Sequence, residues 1–445
     1  MVHTFEIDGK YYLFDVESSA LHVCDALTSE VIKKMQNLPY NLDGADPQAV
    51  AEIESDIKEL REKGYLFAPR TAVAPAKSEH LKALCLHICH DCNMRCAYCF
   101  ASEGTYKGAR QMMSEEVAKK AIDFLIENSG KRSILEVDFF GGEPLMNIGV
   151  VKKTVEYARE QGKKHGKTFL FTMTTNGILL DGETADWLNK EMENVVMSLD
   201  GRKEVNDAIR KTVNGKGSYD IIVDKFRRFV EKRGNKSYYI RGTFTNKNLD
   251  FGKDIEAIAD LGFKEISMEP VVLPKDNPLA IPDEALPAIK EEYRRLSKEY
   301  LQRKKEGRGF NFFHFVIDIE GGPCLNKRVN ACGAGNEYLS VTPKGDLYPC
   351  HQFSDNPKFL MGNVFEGKIN PEIRSIFKNS SLFTREKCDT CFARYHCSGG
   401  CAANNYNFNG DVNKPFEQTC EMMKARLECA LHILSEMKNQ EENQG

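Results

Sequence analysis

Apolar runs typical of β-strands alternate with amphipathic helical patterns between about residue 81 and residue 270. Segments 114–128 and 219–233 carry apolar residues at helical spacing, and Ser114 is the predicted N-cap of the first. Strand and helix repeats of this length predict parallel strands joined by right-handed crossovers. An α/β fold with an open sheet, or with a complete or partial barrel, fits, and its chemistry belongs at the carboxyl ends of the strands. The six strand-like runs are LKALCLHI, ILEVDFF, FLFTMTT, VVMSL, YYIRGTF and KEISMEP.

The regions on either side of this alternation have different patterns. Residues 1–70 begin with a predicted hairpin whose turn is Asp8-Gly9 and continue with helical patterns over 21–35 and 53–60. The stretch APRTAVAPAKSE has no periodicity and two prolines, which indicates a linker at 71–80. A charged helix is predicted at 283–306, followed by turn-rich sequence with a hairpin at PKGDLYPC and a helix at 415–438. The predicted domains are 1–70, 81–310 and 311–445.

Composition narrows the possible classes of function. The chain has 445 residues, 41% of them apolar, and a net charge of -4, so neither a nucleic-acid surface nor a polybasic membrane anchor is indicated. It contains no apolar run of about 18 residues, and its start, MVHTFEIDGK, lacks the pattern of an export signal. We therefore expect a cytoplasmic protein with no membrane or nucleic-acid partner. In that compartment its 15 cysteines are expected to bind metal or react rather than form disulfides.

The cysteines are unevenly distributed. Five fall between Cys85 and Cys99, nine fall between Cys324 and Cys429, and the long segment between these groups contains none. Cysteines used as small core residues would be spread along the chain, whereas metal ligands must converge. The distribution favours metal sites on both sides of a cysteine-free middle.

The first group lies in CHDCNMRCAYC, directly after the first predicted strand. Cys92, Cys96 and Cys99 have the spacing C-x3-C-x2-C, with which one loop can offer three thiolates to a cubane iron-sulfur cluster and leave one iron open. Cys89 extends the pattern, so four thiolates around zinc, or a fully ligated cluster, are alternatives. The motifs GGEP (141–144), TNG (175–177) and DG (200–201) follow the next three strands, where the rim of a site is expected.

CNMRCAYC resembles the signature of radical S-adenosylmethionine (SAM) enzymes, and GGEP resembles their second motif. The resemblance implies a partial (β/α)6 barrel in which Cys92, Cys96 and Cys99 hold a 4Fe-4S cluster whose open iron binds SAM. It implies that one electron splits SAM to a 5′-deoxyadenosyl radical, which abstracts a hydrogen atom from the substrate. A turn with a surface ion pair is the alternative at Ser198 and Arg210, and a structural role is the alternative at Thr174, Asn176 and Glu269. The cofactor contacts expected on this basis are Tyr98, Gly141, Gly142, Glu143, Thr174, Asn176, Ser198, Asp200, Arg210 and Glu269.

The second group of cysteines resembles the SPASM extension of radical SAM enzymes, including Gly345 ahead of Cys350. That resemblance implies two auxiliary 4Fe-4S clusters, and therefore three clusters in all. Cys324 is outside the core motif, so an auxiliary iron open to a substrate thiolate is an alternative to ligation by Cys324. Zinc fits the central four cysteines only loosely. The implied ligands are Cys388, Cys391, Cys397 and Cys420 for the distal cluster, and Cys332, Cys350, Cys401 and Cys324 for the nearer one.

The N-terminal unit resembles the winged-helix-like recognition element of peptide-modifying enzymes, which would capture a leader peptide as an added strand. With HTFEIDGKYYLFDVESSALHVCDAL near its start, the chain resembles, over nearly its full length, the maturases that form thioethers in cysteine-rich SCIFF peptides, a modification also found in sactipeptides. The resemblance implies an oxidoreductase whose partners are a cysteine-rich precursor peptide and a one-electron reductant of the ferredoxin or flavodoxin type. An enzyme that matures sulfatases by oxidising Cys or Ser to formylglycine is one alternative. A non-catalytic iron-sulfur electron-transfer scaffold is another, although a pure electron carrier needs no GGEP rim.

Overall fold

The computed structural model describes residues 1–70, 78–320, 328–354 and 356–442. Its first part is a three-stranded antiparallel sheet in the order β1-β2-β3, followed by two helices. The predicted hairpin turn is confirmed, since Asp8 and Gly9 both have positive φ, as two-residue hairpin turns require. These elements are β1 (Val2–Ile7), β2 (Lys10–Asp15), β3 (Leu21–Cys24), α1 (Ala26–Met35) and α2 (Pro47–Glu62).

The predicted helical pattern over 21–35 is wrong at its start. Leu21–Cys24 form β3, which pairs with β2, and the helix begins only at Ala26. Asp25 has extended backbone, and its side chain accepts a hydrogen bond from the Thr28 N–H, so it caps the helix and prevents its extension toward Leu21. Cys24 is therefore a strand residue.

The middle of the chain confirms the expected α/β architecture. Six parallel strands stand in the order β12-β11-β9-β8-β7-β4, each at one of the predicted apolar runs. The short β5 and β10 pair with each other outside this sheet. The strands are β4 (Ala83–His90), β5 (Met94–Cys96), β6 (Gln111–Met112), β7 (Ile134–Gly141), β8 (Thr168–Thr175), β9 (Asn194–Ser198), β10 (Arg210–Thr212), β11 (Ser237–Phe244) and β12 (Glu265–Pro270).

Helices lie between the strands, and the predicted ones at 114–128, 219–233 and 283–306 are confirmed to within a few residues. Ser114 caps the first of them by accepting a hydrogen bond from the Val117 N–H. The helices are α3 (Glu115–Asn128), α4 (Ile148–His165), α5 (Gly182–Glu191), α6 (Lys203–Ile209), α7 (Tyr219–Arg233), α8 (Phe251–Asp260) and α9 (Leu286–Lys305).

The two faces of the parallel sheet differ. In β7, Leu135, Val137 and Phe139 are fully buried in the core that the helices share, whereas the alternate residues are only partly buried. β8 and β11 repeat this alternation. The second face, to which Glu136, Asp138 and Phe140 belong on β7, therefore stays partly accessible, and polar residues can be placed there without interrupting the core. We refer to the space over this face as the inner chamber.

The C-terminal part continues both edges of the sheet. β13 (Asn311–Phe312) pairs in parallel with β12, and β14 (Tyr338–Val341) pairs in parallel with β4. β14 and β15 (Asp346–Tyr348) form the predicted hairpin, in which Gly345 has a positive φ, and β16 (Gly362–Asn363) follows. The domain boundary at residue 310 remains a prediction. The parallel sheet itself continues past that residue through β13. The helices are α10 (Pro371–Lys378), α11 (Arg394–Cys397), α12 (Ala402–Asn409) and α13 (Glu417–Glu442).

The N-terminal unit is seated on the rest of the molecule rather than held apart. Phe5, Tyr12 and Phe14 belong to the main hydrophobic core, and the Tyr12 hydroxyl lies 2.8 Å from His432 Nδ1 of α13. The ring of His3 stacks on Phe392 at 3.4 Å between centroids. The predicted linker at 71–80 lies mostly outside the described residues. Among the helices that the structure describes, none is long and apolar enough to cross a membrane.

Candidate functional site

The cysteine loop leaves the carboxyl end of β4, as the sequence predicts for chemistry in a parallel sheet. Part of the loop forms β5, in which Cys96 pairs with Arg210 of β10, and the Ala97 N–H donates to the Ile209 carbonyl. This pairing brings the loop beside Arg210, more than a hundred residues later in the chain.

The thiols of Cys92, Cys96 and Cys99 share one partly buried region. Burial, followed by the negative charge of Glu143 and the two neighbouring thiols, raises the pKa of Cys92 to about 12. Burial also raises the pKa of Cys96. Three thiols placed together in this way suit a bound metal cluster, because metal binding drives the deprotonation of its thiol ligands.

Cys89 does not join this group. Its thiol donates to the backbone carbonyl of Glu143 at 3.0 Å and to that of Asp91 at 3.3 Å. The side chain is fully buried, and it ties the cysteine loop to the GGEP loop. Cys89 therefore has a structural role in this arrangement.

Gly141 and Gly142 allow the two loops to touch. The Gly142 N–H donates to the Cys89 carbonyl at 2.9 Å, and the Glu143 N–H donates to the Asp91 carbonyl at 3.0 Å. A Cβ at Gly142 would lie 1.9 Å from the Asp91 carbonyl oxygen, and one at Gly141 would lie 2.3 Å from that of Cys89. Only glycine permits this approach, so the backbone here forms a cradle beside the thiols.

Glu143 is 1% exposed and is held by three donors. Its carboxylate accepts from the Asn176 N–H at 2.7 Å, the Thr175 hydroxyl at 2.8 Å and the Leu145 N–H at 3.0 Å. Burial nevertheless raises the pKa of Glu143 to about 7, against the effect of these hydrogen bonds. A cationic group bound nearby would favour its ionised form.

The TNG turn contributes Asn176 as predicted, and a residue that the sequence did not single out. The Asn176 amide donates to Asn93 Oδ1 at 2.8 Å and lies 3.6 Å from Cys92 Sγ. The hydroxyl that holds Glu143 belongs to Thr175. Thr174, which the resemblance marks as a cofactor contact, lies on the half-buried inner face of β8, and that role stays a prediction. Strand parity could have indicated the Thr175 contact, since the two residues point to opposite faces.

Tyr98, Asp200 and Arg210 form one network. The Tyr98 hydroxyl donates to Asp200 Oδ2 at 2.8 Å and accepts from Arg210 Nη1 at 2.8 Å. The Thr243 N–H donates to Asp200 at 3.1 Å. Arg210 Nε is buried and has no hydrogen-bond partner among the described residues, so the guanidinium keeps one donor for a further acceptor.

Ser198 and Glu269 lie farther along the same rim. Ser198 ends β9 and is paired in register with Arg241. Glu269, next to the last residue of β12, lies beside three basic side chains: His314 Nε2 at 3.2 Å, Arg426 at 3.5 Å and Arg241 at 3.8 Å. Burial opposes ionisation here, but these partners hold the pKa of Glu269 well below its usual value. His314 and Arg426 were not predicted, because they are distant in sequence.

The C-terminal cysteines fall into two groups. Four line a cavity of about 790 Å³, and burial and neighbouring thiols raise the pKa of Cys388 to about 11 and of Cys420 to about 12. In the second group, burial and the nearby thiols of Cys401 and Cys332 raise the pKa of Cys350 well above its usual value. Cys324 lies outside the described residues. The four cysteines that line the cavity are Cys388, Cys391, Cys397 and Cys420.

The resemblance implies the same interleaved grouping, and the binding of clusters by these cysteines stays a prediction. Within the described ranges, no three His, Cys, Asp or Glu side chains converge tightly enough to enclose a single metal ion.

Two family models match the chain. Residues 86–250 match that of the radical SAM superfamily, and residues 332–398 match SPASM, described as an iron-sulfur cluster-binding domain. The first range contains the cysteine loop, the glycine cradle and the Tyr98 network. The second contains cysteines of both C-terminal groups.

Curated relatives cover most of the chain. Mycofactocin maturase MftC of Mycolicibacterium smegmatis is 28% identical over 72% of this chain and 78% of its own length. The radical SAM cyclopropyl synthase TigE of Paramaledivibacter caminithermalis is 23% identical over 84% of this chain and 82% of its own. A cysteine-type anaerobic sulfatase-maturating enzyme of Clostridium novyi is 26% identical over 76% and 92%.

Solved structures share the fold. Native anSMEcpe with bound AdoMet and Cp18Cys peptide has a TM-score of 0.63 and 20% identity, covering 81% of this chain and 99% of that one. Streptococcus suis SuiB bound to precursor peptide SuiA has a TM-score of 0.51 and 15% identity, covering 93% and 97%. At these identities the likeness concerns the fold alone.

Proposed function

We propose that this chain, in which residues 86–250 match the radical SAM superfamily and residues 332–398 match the SPASM domain, is an oxidoreductase that joins cysteine sulfur to carbon in a ribosomally made, cysteine-rich peptide. The main structural support for a peptide substrate is the N-terminal sheet. Within the described residues β3 has one edge without a strand partner, and Val23 on it is 50% exposed. An extended leader peptide can add to such an edge through main-chain hydrogen bonds.

The relatives support a peptide substrate. MftC is named a maturase, and SuiB has been solved with its precursor peptide. The seating of β1–β3 against the core and α13 would hold a captured leader at a fixed position relative to the chamber. Such tethering raises the effective concentration of the rest of the peptide at the chamber.

The rim residues fit SAM beside a cluster. Cys92, Cys96 and Cys99 would hold the cluster, the glycine cradle and Glu143 would bind the amino group of SAM, and Arg210 would offer its unpartnered Nε to the carboxylate. When bound together, a reduced 4Fe-4S cluster and SAM supply a 5′-deoxyadenosyl radical that can abstract a hydrogen atom. The cradle, the raised pKa of Glu143 and the buried unpartnered donor are the features that support this fit.

The C-terminal thiols fit two auxiliary clusters, which would bring the total to three. Cys388, Cys391, Cys397 and Cys420 would hold the one in the cavity. Cys332, Cys350 and Cys401 would hold the other, with Cys324 or a substrate thiolate as the fourth ligand. An external one-electron reductant of the ferredoxin or flavodoxin type is required in addition.

Aromatic side chains would exclude water between the barrel and the Cys350 loop. His351 stacks on Phe140 of the inner face at 4.9 Å, and Phe100, directly after Cys99, lies 5.4 Å from His351 between ring centroids. These rings link the loop of the first thiol group to that of Cys350. They form a wall of the chamber in which the peptide would react.

Sulfatase maturation is the second candidate, favoured by the Clostridium novyi relative. Thioether formation and formylglycine formation differ in product, so mass spectrometry separates them. We expect a short cysteine-rich peptide, co-expressed anaerobically with this protein, to lose a pair of hydrogens for each bridge and to gain cysteines that resist alkylation. Loss of sulfur from a cysteine with a new aldehyde would instead identify formylglycine, and an unchanged peptide would contradict both.

A further inference from the structure

Asp138 lies on the inner face of β7, between the carboxylate of Glu136 and the ring of Phe140. In register it stands opposite Cys85 on β4 and Thr172 on β8. Cys85 in turn is close enough to Tyr338 and Cys350 to affect the pKa of each. Asp138 therefore belongs to the side of the chamber that faces the second group of C-terminal thiols.

Asp138 differs from the other carboxylates of this chamber and its rim in having no fixed partner. Glu136 pairs with Lys82 at 3.0 Å, and Glu269 is held ionised by Arg426, Arg241 and His314. Glu143 and Asp200 accept several hydrogen bonds each. The Asp138 carboxylate makes no ion pair or hydrogen bond with any residue in the parts of the chain that the structure describes. It is thus the carboxylate that can gain a proton without losing a bond.

Its surroundings favour proton uptake near neutral pH. Burial, followed by the negative charge of Glu136, raises the pKa of Asp138 to about 6, and Lys82 opposes this only partly. The other titratable groups that face it are the thiol of Cys85 and the hydroxyl of Tyr338, which burial keeps protonated. A base is most effective when its pKa lies close to the working pH.

We propose that Asp138 is the group that accepts the thiol proton of the peptide cysteine during carbon-sulfur bond formation. This inference depends on the proposed function. The C–H and S–H bonds break and one C–S bond forms. One hydrogen leaves as an atom to the 5′-deoxyadenosyl radical, the thiol hydrogen leaves as a proton to Asp138, and the remaining electron passes to an oxidised iron-sulfur cluster.

The test compares Asp138→Asn with Glu136→Gln, an isosteric change on the same inner face. We expect Asp138→Asn to slow cross-linking by about 100-fold or more, while the yield of 5′-deoxyadenosine, which shows that the protein is folded and loaded, stays within about twofold. Asp138→Glu should restore part of the rate. Glu136→Gln should leave the rate above about pH 7 unchanged and shift the midpoint of the pH profile to lower pH, because it removes a charge that raises the pKa of Asp138. The wild-type rate should rise with pH through about 6, and the residual rate of Asp138→Asn should not.

A second readout does not depend on turnover. Infrared difference spectra of the full-length protein, wild type minus Asp138→Asn, should contain a carboxyl band that disappears as pH rises through about 6. Cross-linking by Asp138→Asn at the wild-type rate and with the wild-type pH profile would overturn the assignment while leaving the proposed function intact. If wild type makes 5′-deoxyadenosine but no cross-link with its peptide, the proposed function fails and this inference fails with it.

Discussion

At the scale of single residues, Gly142 is the position that tolerates the least change near the cysteine loop. A Cβ at Gly142 would overlap the Asp91 carbonyl. A Cβ at Gly149, the second residue of α4, would meet nothing within 4 Å. We expect Gly142→Ala to weaken SAM binding by about 100-fold, because the added Cβ forces the two loops apart. Gly149→Ala should bind SAM normally and be more stable by up to about 1 kcal/mol, since alanine is the better helix former.

Isothermal titration of SAM into the anaerobic, cluster-loaded variants measures this difference. Iron content should be compared in the same samples. Equal affinity of the two variants would show that the contact between GGEP and the cysteine loop does not shape the cofactor site.

The raised pKa of Glu143 predicts how stability and SAM affinity depend on pH. Because its folded-state pKa is raised to about 7, the folded protein holds this proton more tightly than the unfolded chain, and the stability that it contributes is lost as pH rises from the ordinary glutamate pKa to about 7. Over the same range the carboxylate appears, so affinity for the SAM ammonium group should rise. Glu143→Gln should bind SAM weakly, with little dependence on pH in this window. A variant profile parallel to that of wild type would assign the titration to another group.

Residue roles could be predicted only where a motif carries them. Residue spacing within a loop is visible in the sequence. It therefore allowed us to predict that the three loop cysteines, the two glycines and Glu143 lie near one another. The contact of Thr175 with Glu143 was not predicted, since it requires knowing which face of β8 is buried. His314 and Arg426 could not be found, because their contacts with Glu269 join distant parts of the chain.

At the scale of elements, the β2–β3 loop is joined to the loop that carries the distal thiols. Glu17 pairs with Arg394, and their side chains are 4% and 3% exposed. Tyr395 donates to Glu17 at 3.0 Å, and Arg394 donates to the Cys391 carbonyl at 3.2 Å. Arg70 pairs with Asp389, which lies between Cys388 and Cys391. The N-terminal unit thus supports the distal cysteine loop directly.

Glu17→Ala tests this support. Removing one partner of a buried ion pair leaves the other charge uncompensated, which costs about 3–5 kcal/mol. We expect a lower unfolding temperature together with loss of iron from the distal site. Lys10→Ala is the matched control, because Lys10 pairs with Glu436 at the same interface but is 46% exposed, and such pairs contribute about 1 kcal/mol or less.

Thermal unfolding and iron content of the two anaerobic variants give the answer. A Glu17→Ala protein with full iron content and wild-type unfolding temperature would mean that the distal loop is held by its own contacts.

Local sequence predicts most strands and helices correctly, and it predicts the wrong type of element at one place. The six parallel strands and the helices after Ser114 and Ser218 lie where periodicity predicts them. The apolar spacing of Leu21–Cys24 continues into α1, and it therefore predicts a helix for these residues. Its pairing with β2 and the cap at Asp25 decide otherwise, and strand pairing is a tertiary contact that periodicity does not contain.

At the scale of the whole molecule, the three regions share one core. Side chains of β1 and β2, the parallel sheet and α13 are buried together, so the N-terminal unit is a docked part of the protein rather than a tethered module. The sequence indicated the composition of each region, and the resemblance implied the grouping of the C-terminal thiols. The docking could not be predicted, since contacts such as His3 with Phe392 join the two ends of the chain.

The most direct test of the account is the formation of 5′-deoxyadenosine by Cys96→Ser and Cys89→Ser, reconstituted anaerobically and given SAM and a low-potential reductant. Serine at 89 can still donate to the backbone carbonyls that the Cys89 thiol now contacts. We therefore expect Cys89→Ser to produce 5′-deoxyadenosine at close to the wild-type rate and Cys96→Ser to produce none. Equal loss in both variants, or wild-type protein that carries zinc and leaves SAM intact, would contradict a three-thiol site with an open iron.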